Sequence, residues 1–215
     1  MTSRAAPVVL VATSGTGKTT LARRLVEASD GYVFSVSATT RSPRNGEVDG
    51  VDYHFLSPAE FEQRVAAGEM AEFARVHGRM YGTPRHEIET AATRGEHVVL
   101  DIDVQGARQI RAALPDARLI FVLPPSVDIM MARLRRRGTE DREEIARRLR
   151  SAIGELQAVP EFDYVVVNDD LDECLDEIRR IVEGRGPPPA EPLQDADRFR
   201  TEILRILRDE YGENV

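Results

Sequence analysis

Two kinds of apolar pattern alternate along the chain. Short, mostly apolar runs cover 8–11, 98–102, 118–123 and 162–167 and read as strands. Two weaker runs, 33–37 and 53–56, read the same way. Strands that are apolar at every position are buried on both faces. In the second kind, apolar residues recur three or four apart. Leu21 and Leu25 mark a helix over 19–28, and Ile145, Leu149, Ile153 and Leu156 mark one over 139–157. Segments 104–113, 126–136 (capped by Ser126) and 171–182 read as further helices. Ser57, Pro58 and Glu60 form a capping-box start for a helix that buries Phe61 and Val65 and stops at Gly68. Thr83 and Pro84 predict another helix start, running to Arg94 and closed by Gly95.

The resulting βα rhythm predicts an α/β fold with a mostly parallel sheet covered on both faces. Residues 39–95 interrupt it, which predicts a small inserted domain, and 39–51 reads as a loop rich in Arg, Pro, Gly and Asn. A Pro/Gly-rich linker spans 184–193, within the run GRGPPPAEPL. Beyond it, Phe199, Ile203, Ile206 and Leu207 make an amphipathic stripe, expected to dock on the parent domain or to form a dimer contact.

Composition narrows this picture. A chain of 215 residues with 41% hydrophobic residues suits one domain with small additions and excludes a disordered composition. The single cysteine, Cys174, excludes an internal disulfide framework and a multi-cysteine metal site. No leader-like start and no run of 18 apolar residues occur, so the expectation is a soluble cytoplasmic protein with no membrane partner. The net charge of −8 argues against a nucleic-acid polymer as partner. Locally dense arginines point instead to small anionic ligands.

The densest chemistry lies in ATSGTGKTT, residues 12–20, between the first strand and the first helix. Strand, glycine turn and helix in that order are the setting of a phosphate-binding loop. Gly15 and Gly17 let the backbone bend, so that successive N–H groups and the helix N-terminus face a polyphosphate. Ser14, Thr16 and Thr20 belong to the same loop. Lys18 reaches the β and γ phosphates, and Thr19 offers its hydroxyl to Mg²⁺. Ala12 stands where the motif has its first glycine.

A second anion site is predicted after the second strand, where Ser37, Arg41, Arg44 and Tyr53 gather. Two arginines three apart offer rigid forks that match a monophosphate. Tyr81 adds a hydroxyl donor. Glu72 matches the N1–H and 2-amino edge of guanine, a donor pair that adenine lacks. Asp101 and Asp103 lie at the C-terminal end of the 98–102 strand, the sheet end where ligands bind. One serves the Mg²⁺ water shell and the other orients the acceptor; the alternative is that they cap the 104–113 helix. Arg133 and Arg137 lie i, i+4 on one helix face, and Arg148 sits on the next helix, so a mobile helix pair carrying them would close over a transferring phosphoryl group. Asn168 follows the last strand and reaches a bound adenine if the sheet order brings it beside the loop.

These residues sit in strings that resemble the guanylate kinases: SGTGKTT (14–20), FSVSATTRSPRNGEVDGVDYHF (34–55), GEMAEF (68–73), YGT (81–83), LDIDVQGA (100–107), FVLPPS (121–126), RLRRRGTE (133–140) and NDDL (168–171). The resemblance covers 8 to about 182. It implies a P-loop NTP hydrolase-type core with a five-stranded sheet at 1–38 and 96–184, a helical lid near 133–150, and a GMP-binding insertion at 39–95. The linker (185–193) and the amphipathic helix (194–215) fall outside it. The implied reaction moves the γ-phosphoryl group of ATP to GMP or dGMP with Mg²⁺. By motif, Arg41, Arg44, Tyr53 and Tyr81 hold the GMP phosphate, while Ser37, Glu72, Thr83 and Asp103 recognise guanine. Asp101 assists GMP and, through water, the metal held by Thr19. Lys18, Arg133, Arg137, Arg148 and Asn168 serve ATP, and Lys18, Arg41, Arg137 and Arg148 are the implied catalytic set. The state is expected to be monomer or homodimer. Two other readings share the resemblance: a non-catalytic guanylate-kinase-like protein-binding module, and a related kinase of a phosphorylated ribose.

Overall fold

The structure is a computed structural model; it describes residues 5–28, 30–76, 78–136, 142–186 and 193–212. Nine strands and eight α-helices lie within the described residues. The larger sheet has five strands: β1 (Val8–Ala12), β2 (Tyr32–Phe34), β7 (His97–Asp101), β8 (Arg118–Leu123) and β9 (Tyr164–Val167), in the order β2-β7-β1-β8-β9. β2 pairs parallel with β7, and β8 with β9. Every residue of β1 is buried, as an unbroken apolar run in a covered parallel sheet requires. The chain divides into two compact units, Met1–Val9 with Ala22–Arg118, and Leu10–Leu21 with Leu119–Val215.

In the first unit, a second sheet of four strands draws on residues 38–84. These are β3 (Ala38–Thr39), β4 (His54–Phe55), β5 (Met70–Val76) and β6 (Arg79–Pro84), ordered β4-β3-β6-β5. Helix α2 (Pro58–Ala66) carries the predicted capping box, both halves of which form at Ser57 and Glu60. Its Phe61 is fully buried and joins Ala38 and Met70 in a small core, with Val65, Leu56 and Met80 packed against it.

The predicted helix start at Thr83-Pro84 is corrected. Both residues are strand residues at the end of β6, and helix α3 (Arg85–Arg94) begins after them with no side-chain cap at Pro84. Thr83 pairs across the antiparallel ladder with Glu72, so its backbone is extended and its hydroxyl is used elsewhere. The predicted strands 33–37 and 53–56 are shorter, and the 39–51 loop begins one residue later than predicted because Thr39 belongs to β3. Helix α4 (Val104–Ala113) is tied to β5 by the Gln109 amide, which donates to the Phe73 carbonyl at 2.7 Å and accepts from the Phe73 N–H at 3.2 Å. That side chain continues the ladder of β5 as a neighbouring strand would.

In the second unit, α5 (Val127–Arg136) takes Ser126 as its cap through the Ile129 N–H. Helix α6 (Arg142–Gln157) buries Ile145, Leu149 and Leu156 as its spacing predicts. A 3-10 turn (Val159–Glu161) places Phe162 edge-on to Phe121, with centroids 5.1 Å apart. Helix α7 (Leu171–Val182) is capped by Asp170 and buries Cys174, whose thiol burial pushes up to about 12. The C-terminal stripe is helix α8 (Leu193–Tyr211); it packs on α6, α5 and the 3-10 turn. Phe199, Ile203, Ile206 and Leu207 are buried there, so the stripe docks within its own unit.

Candidate active site

The loop between β1 and α1 (Lys18–Glu27) belongs to the second unit and is held from several directions. Ala12 lies at the end of β1 in extended backbone, so its methyl group meets no left-handed constraint. Thr13 and Thr16 are buried, with hydroxyls 2.9 Å apart, and the Thr16 hydroxyl also donates to the Thr13 carbonyl. The turn thereby has a side-chain stitch across its base. Gly17 has φ +91°, a region that penalises any Cβ, and an added Cβ would stand 3.3 Å from Asn168 Nδ2. Gly15, at φ +87°, is crowded in the same way by Leu134 and the Met130 carbonyl.

The Thr16 carbonyl accepts from Asn168 Nδ2 at 2.8 Å and from Arg133 Nη1 at 2.9 Å. The sheet order thus brings Asn168 beside the loop, and Arg133 reaches the same carbonyl from α5, so both brace its backbone. A cavity of about 530 Å³ opens here, bounded by Gly15, Gly17, Thr20, Arg133, Asn168 and Leu171. Ser14 and Lys18 are half-buried in the same turn, while Thr19 is exposed on the first turn of α1. Arg148 is mostly buried on α6, with Nε 3.6 Å from Glu144. Arg137 lies outside the described residues.

In the first unit the predicted acceptor residues form two clusters. The first centres on Arg41. Its guanidinium lies 5.2 Å from the Tyr53 ring centroid and 5.7 Å from that of Phe55, and Tyr53 and Tyr81 meet edge-on at 6.1 Å. Glu47 accepts from Arg41 Nη1 at 2.9 Å and from Nη2 at 2.8 Å, and also from the Arg44 N–H at 2.6 Å. Nη1 additionally donates to the Ser42 carbonyl at 2.7 Å. The hydrogens that these bonds leave over are Nε–H and the second Nη2–H, and the Tyr81 hydroxyl hydrogen-bonds the same guanidinium. The Glu47 hydrogen bond, followed by those and the charges of Tyr81 and Glu47, holds the Arg41 pKa above its ordinary value despite burial. Glu47 is held below the usual carboxylate range, first by Arg41 and then by the Arg44 N–H. Burial, then the nearby Asp101 carboxylate, pushes the Tyr53 phenol up. The Arg44 side chain is exposed.

The second cluster lies around Gly106. Glu72 occupies a buried position of β5 between Met70 and Ala74, next to an irregularity in the ladder between Met70 and Glu72. Thr83 donates its hydroxyl to Glu72 Oε1 at 2.7 Å, both residues being buried. A Cβ on Gly106 would fall 2.4 Å from Glu72 Oε2, so a side chain there would force this carboxylate to shift. Asp103 caps α4, accepting from the Gly106 N–H at 2.8 Å. The capping alternative therefore holds for Asp103, and its second oxygen keeps acceptor capacity. Asp101 ends β7, and Ser37 accepts from the His54 N–H at 2.9 Å through its carbonyl.

The sequence reading missed three features. Glu47 sits six residues from Arg41 in an irregular loop that has no period to reveal the pair. Gln109 was hidden on a helix face, and the Thr13–Thr16 stitch lies inside the loop motif. Glu72 was legible because it stands in a stretch with few other polar anchors.

The sequence profile of the guanylate kinase family matches residues 4–185. The chain is 54% identical over 172 residues to a guanylate kinase of Nitratidesulfovibrio vulgaris, covering 80% of this chain and 83% of that one. It is 51% identical over 174 residues to a guanylate kinase of Neisseria meningitidis serogroup A, covering 81% and 85%. A crystal structure of guanylate kinase from Anaplasma phagocytophilum superposes with a TM-score of 0.70 at 31% identity, over 100% of this chain and 99% of that one. A glycine loop braced by Arg133 and Asn168, a restrained arginine beside two tyrosines, and this level of identity across four-fifths of the sequence lead to one conclusion: the chain belongs to the guanylate kinase family.

Proposed function

We propose that this chain is an ATP:GMP phosphotransferase that forms ADP and GDP, with the 12–20 loop holding ATP and the 39–95 segment holding GMP. The observation that carries the acceptor assignment is the buried Glu72–Thr83 pair beside Gly106 and Asp103. A buried carboxylate seeks hydrogen-bond donors, and guanine offers two in a row at N1–H and the 2-amino group. Adenine presents an acceptor at that edge, which a carboxylate repels. Ser37, Thr83 and Asp103 complete this base-recognition set. Arg41, Arg44, Tyr53 and Tyr81 hold the GMP phosphate, and Glu47 orients the Arg41 fork toward it.

On the donor side, the backbone N–H groups of 14–20 and Lys18 cradle the β and γ phosphates, and Asn168 borders the adenine. The acceptor phosphate needs no general base, because its second ionisation, with a pKa of about 6, is largely complete at neutrality. Catalysis is then positioning plus charge stabilisation by Lys18, Arg41, Arg137 and Arg148, with Arg133 alongside. The Thr19 hydroxyl, exposed on the first turn of α1, is a hard oxygen donor of the kind Mg²⁺ takes together with phosphate oxygens and water, and Asp101 suits a water-mediated place. Mg²⁺, when bound, neutralises phosphate charge. Action in the cytoplasm belongs to the same proposal; no helix among the described residues is long and apolar enough to cross a membrane.

Steady-state kinetics of two variants test this. Glu72→Ala raises KM for GMP far more than for ATP, and Lys18→Ala lowers kcat by orders of magnitude. An unchanged GMP KM removes the guanine assignment, and near-normal turnover in Lys18→Ala removes the phosphate cradle.

A further inference from the structure

His54, His86 and Glu87 lie together in the first unit, and their ligand atoms are all within 4.8 Å of one another. None of them has a place in the phosphoryl-transfer scheme. Glu87 Oε1 is 3.5 Å from His54 Nε2 and 3.5 Å from His86 Nε2. A tetrahedral ion with metal–ligand bonds of about 2.0–2.2 Å needs its ligands roughly 3.4 Å apart. Two edges of the triangle already have that length. The third closes by rotation of His86, the most exposed of the three at 61%.

The surroundings favour the same reading. The second oxygen of Glu87 faces the Val36 N–H at 3.5 Å, an outer contact that orients the carboxylate and leaves Oε1 toward the imidazoles. The neighbouring cation, Arg85, is turned away onto the carbonyls of Gly68 and Met70. Glu87 offsets the partial positive charge of the first turn of α3, which alone would repel a cation. The rings of His54 and His86 lie 6.2 Å apart at 58°, so their Nε2 lone pairs can converge without stacking.

We propose that His54, His86 and Glu87 bind one divalent transition-metal ion of the zinc class, with solvent in the remaining position. Two imidazoles and one carboxylate suit Zn²⁺, Co²⁺ or Ni²⁺, and they disfavour Mg²⁺, which prefers all-oxygen octahedra. The ion joins β4 to α3. Its ligand His54 directly follows Tyr53, and α3 directly follows the strand that carries Thr83. Occupancy therefore stiffens the first unit where its acceptor strands end.

Tag-free, chelator-treated full-length protein titrated with Zn²⁺ in the presence of excess Mg²⁺ tests the site by calorimetry. Titration with Co²⁺ reports geometry through the intense visible absorption of low-coordinate cobalt. The unmodified chain is expected to bind one equivalent. His86→Ala and Glu87→Gln should each weaken binding at least tenfold, while His86→Ala keeps GMP phosphorylation unchanged in metal-free buffer apart from Mg²⁺. Absence of one-to-one binding by the unmodified chain, or equal affinity in either variant, overturns the proposal.

Discussion

At the scale of single residues, Glu47 separates two ways of building an anion site. A carboxylate on Arg41, the arginine proposed to hold the acceptor phosphate, looks like a competitor for that phosphate. Its contacts, however, take the end-on pair of guanidinium donors and leave the side-on pair. Glu47 therefore acts as a positioning residue, and Glu47→Gln is expected to raise KM for GMP about tenfold while leaving KM for ATP near its original value. A lower GMP KM in that variant would identify Glu47 as a competitor instead. The pair also carries a pH signature. Because the folded carboxyl pKa is lowered, the stabilisation is complete above the ordinary carboxylate pKa and disappears as pH falls through the lowered value. Denaturant midpoints of the two proteins should thus differ at neutral pH and converge in acid. Gly17→Ala, which places a methyl group at φ +91° against Asn168, should cost roughly 1–2 kcal/mol in stability and weaken ATP binding, read by calorimetry.

Among the elements, what was legible in the sequence depended on how local the determining contact is. The strand–loop–helix at 8–27 and the capping box at Ser57 are set by neighbours a few residues apart, and they read directly from the pattern. Thr83-Pro84 misled because a hydroxyl followed by proline imitates a helix start. The ladder with β5, eleven residues away, decides instead and sends that hydroxyl to Glu72. The register of β5 against α4 was equally invisible, since it rests on one amide side chain and one absent methyl group. Gly106→Ala should consequently raise KM for GMP strongly and leave ATP binding unchanged, because its Cβ would displace Glu72. Equal effects on both nucleotides would mean that α4 serves the fold alone. For α8 the sequence left docking and dimerisation open, and the burial of Ile203 against its own unit decides for docking. Ile203→Ala should lower stability by about 2–4 kcal/mol in equilibrium unfolding, with no change in the nucleotide KM values.

For the whole molecule, the proposed reaction assigns its two substrates to anion-binding devices of different construction. The donor side is mostly backbone, shaped by glycines and two threonine hydroxyls, so it suits any nucleoside triphosphate chain. The acceptor side is mostly side chains, two of them buried, so it discriminates. Specificity should accordingly reside in the acceptor, because a site with buried hydrogen-bonding groups rejects ligands that leave them unpaired. The most direct measurement is ADP formation by the unmodified chain with Mg²⁺-ATP and, in turn, GMP, dGMP, AMP, CMP, UMP and a ribose phosphate. The account predicts turnover with GMP, and a kcat/KM for GMP exceeding that for AMP by about three orders of magnitude or more. Comparable turnover with AMP or the ribose phosphate, or none with GMP, would contradict it.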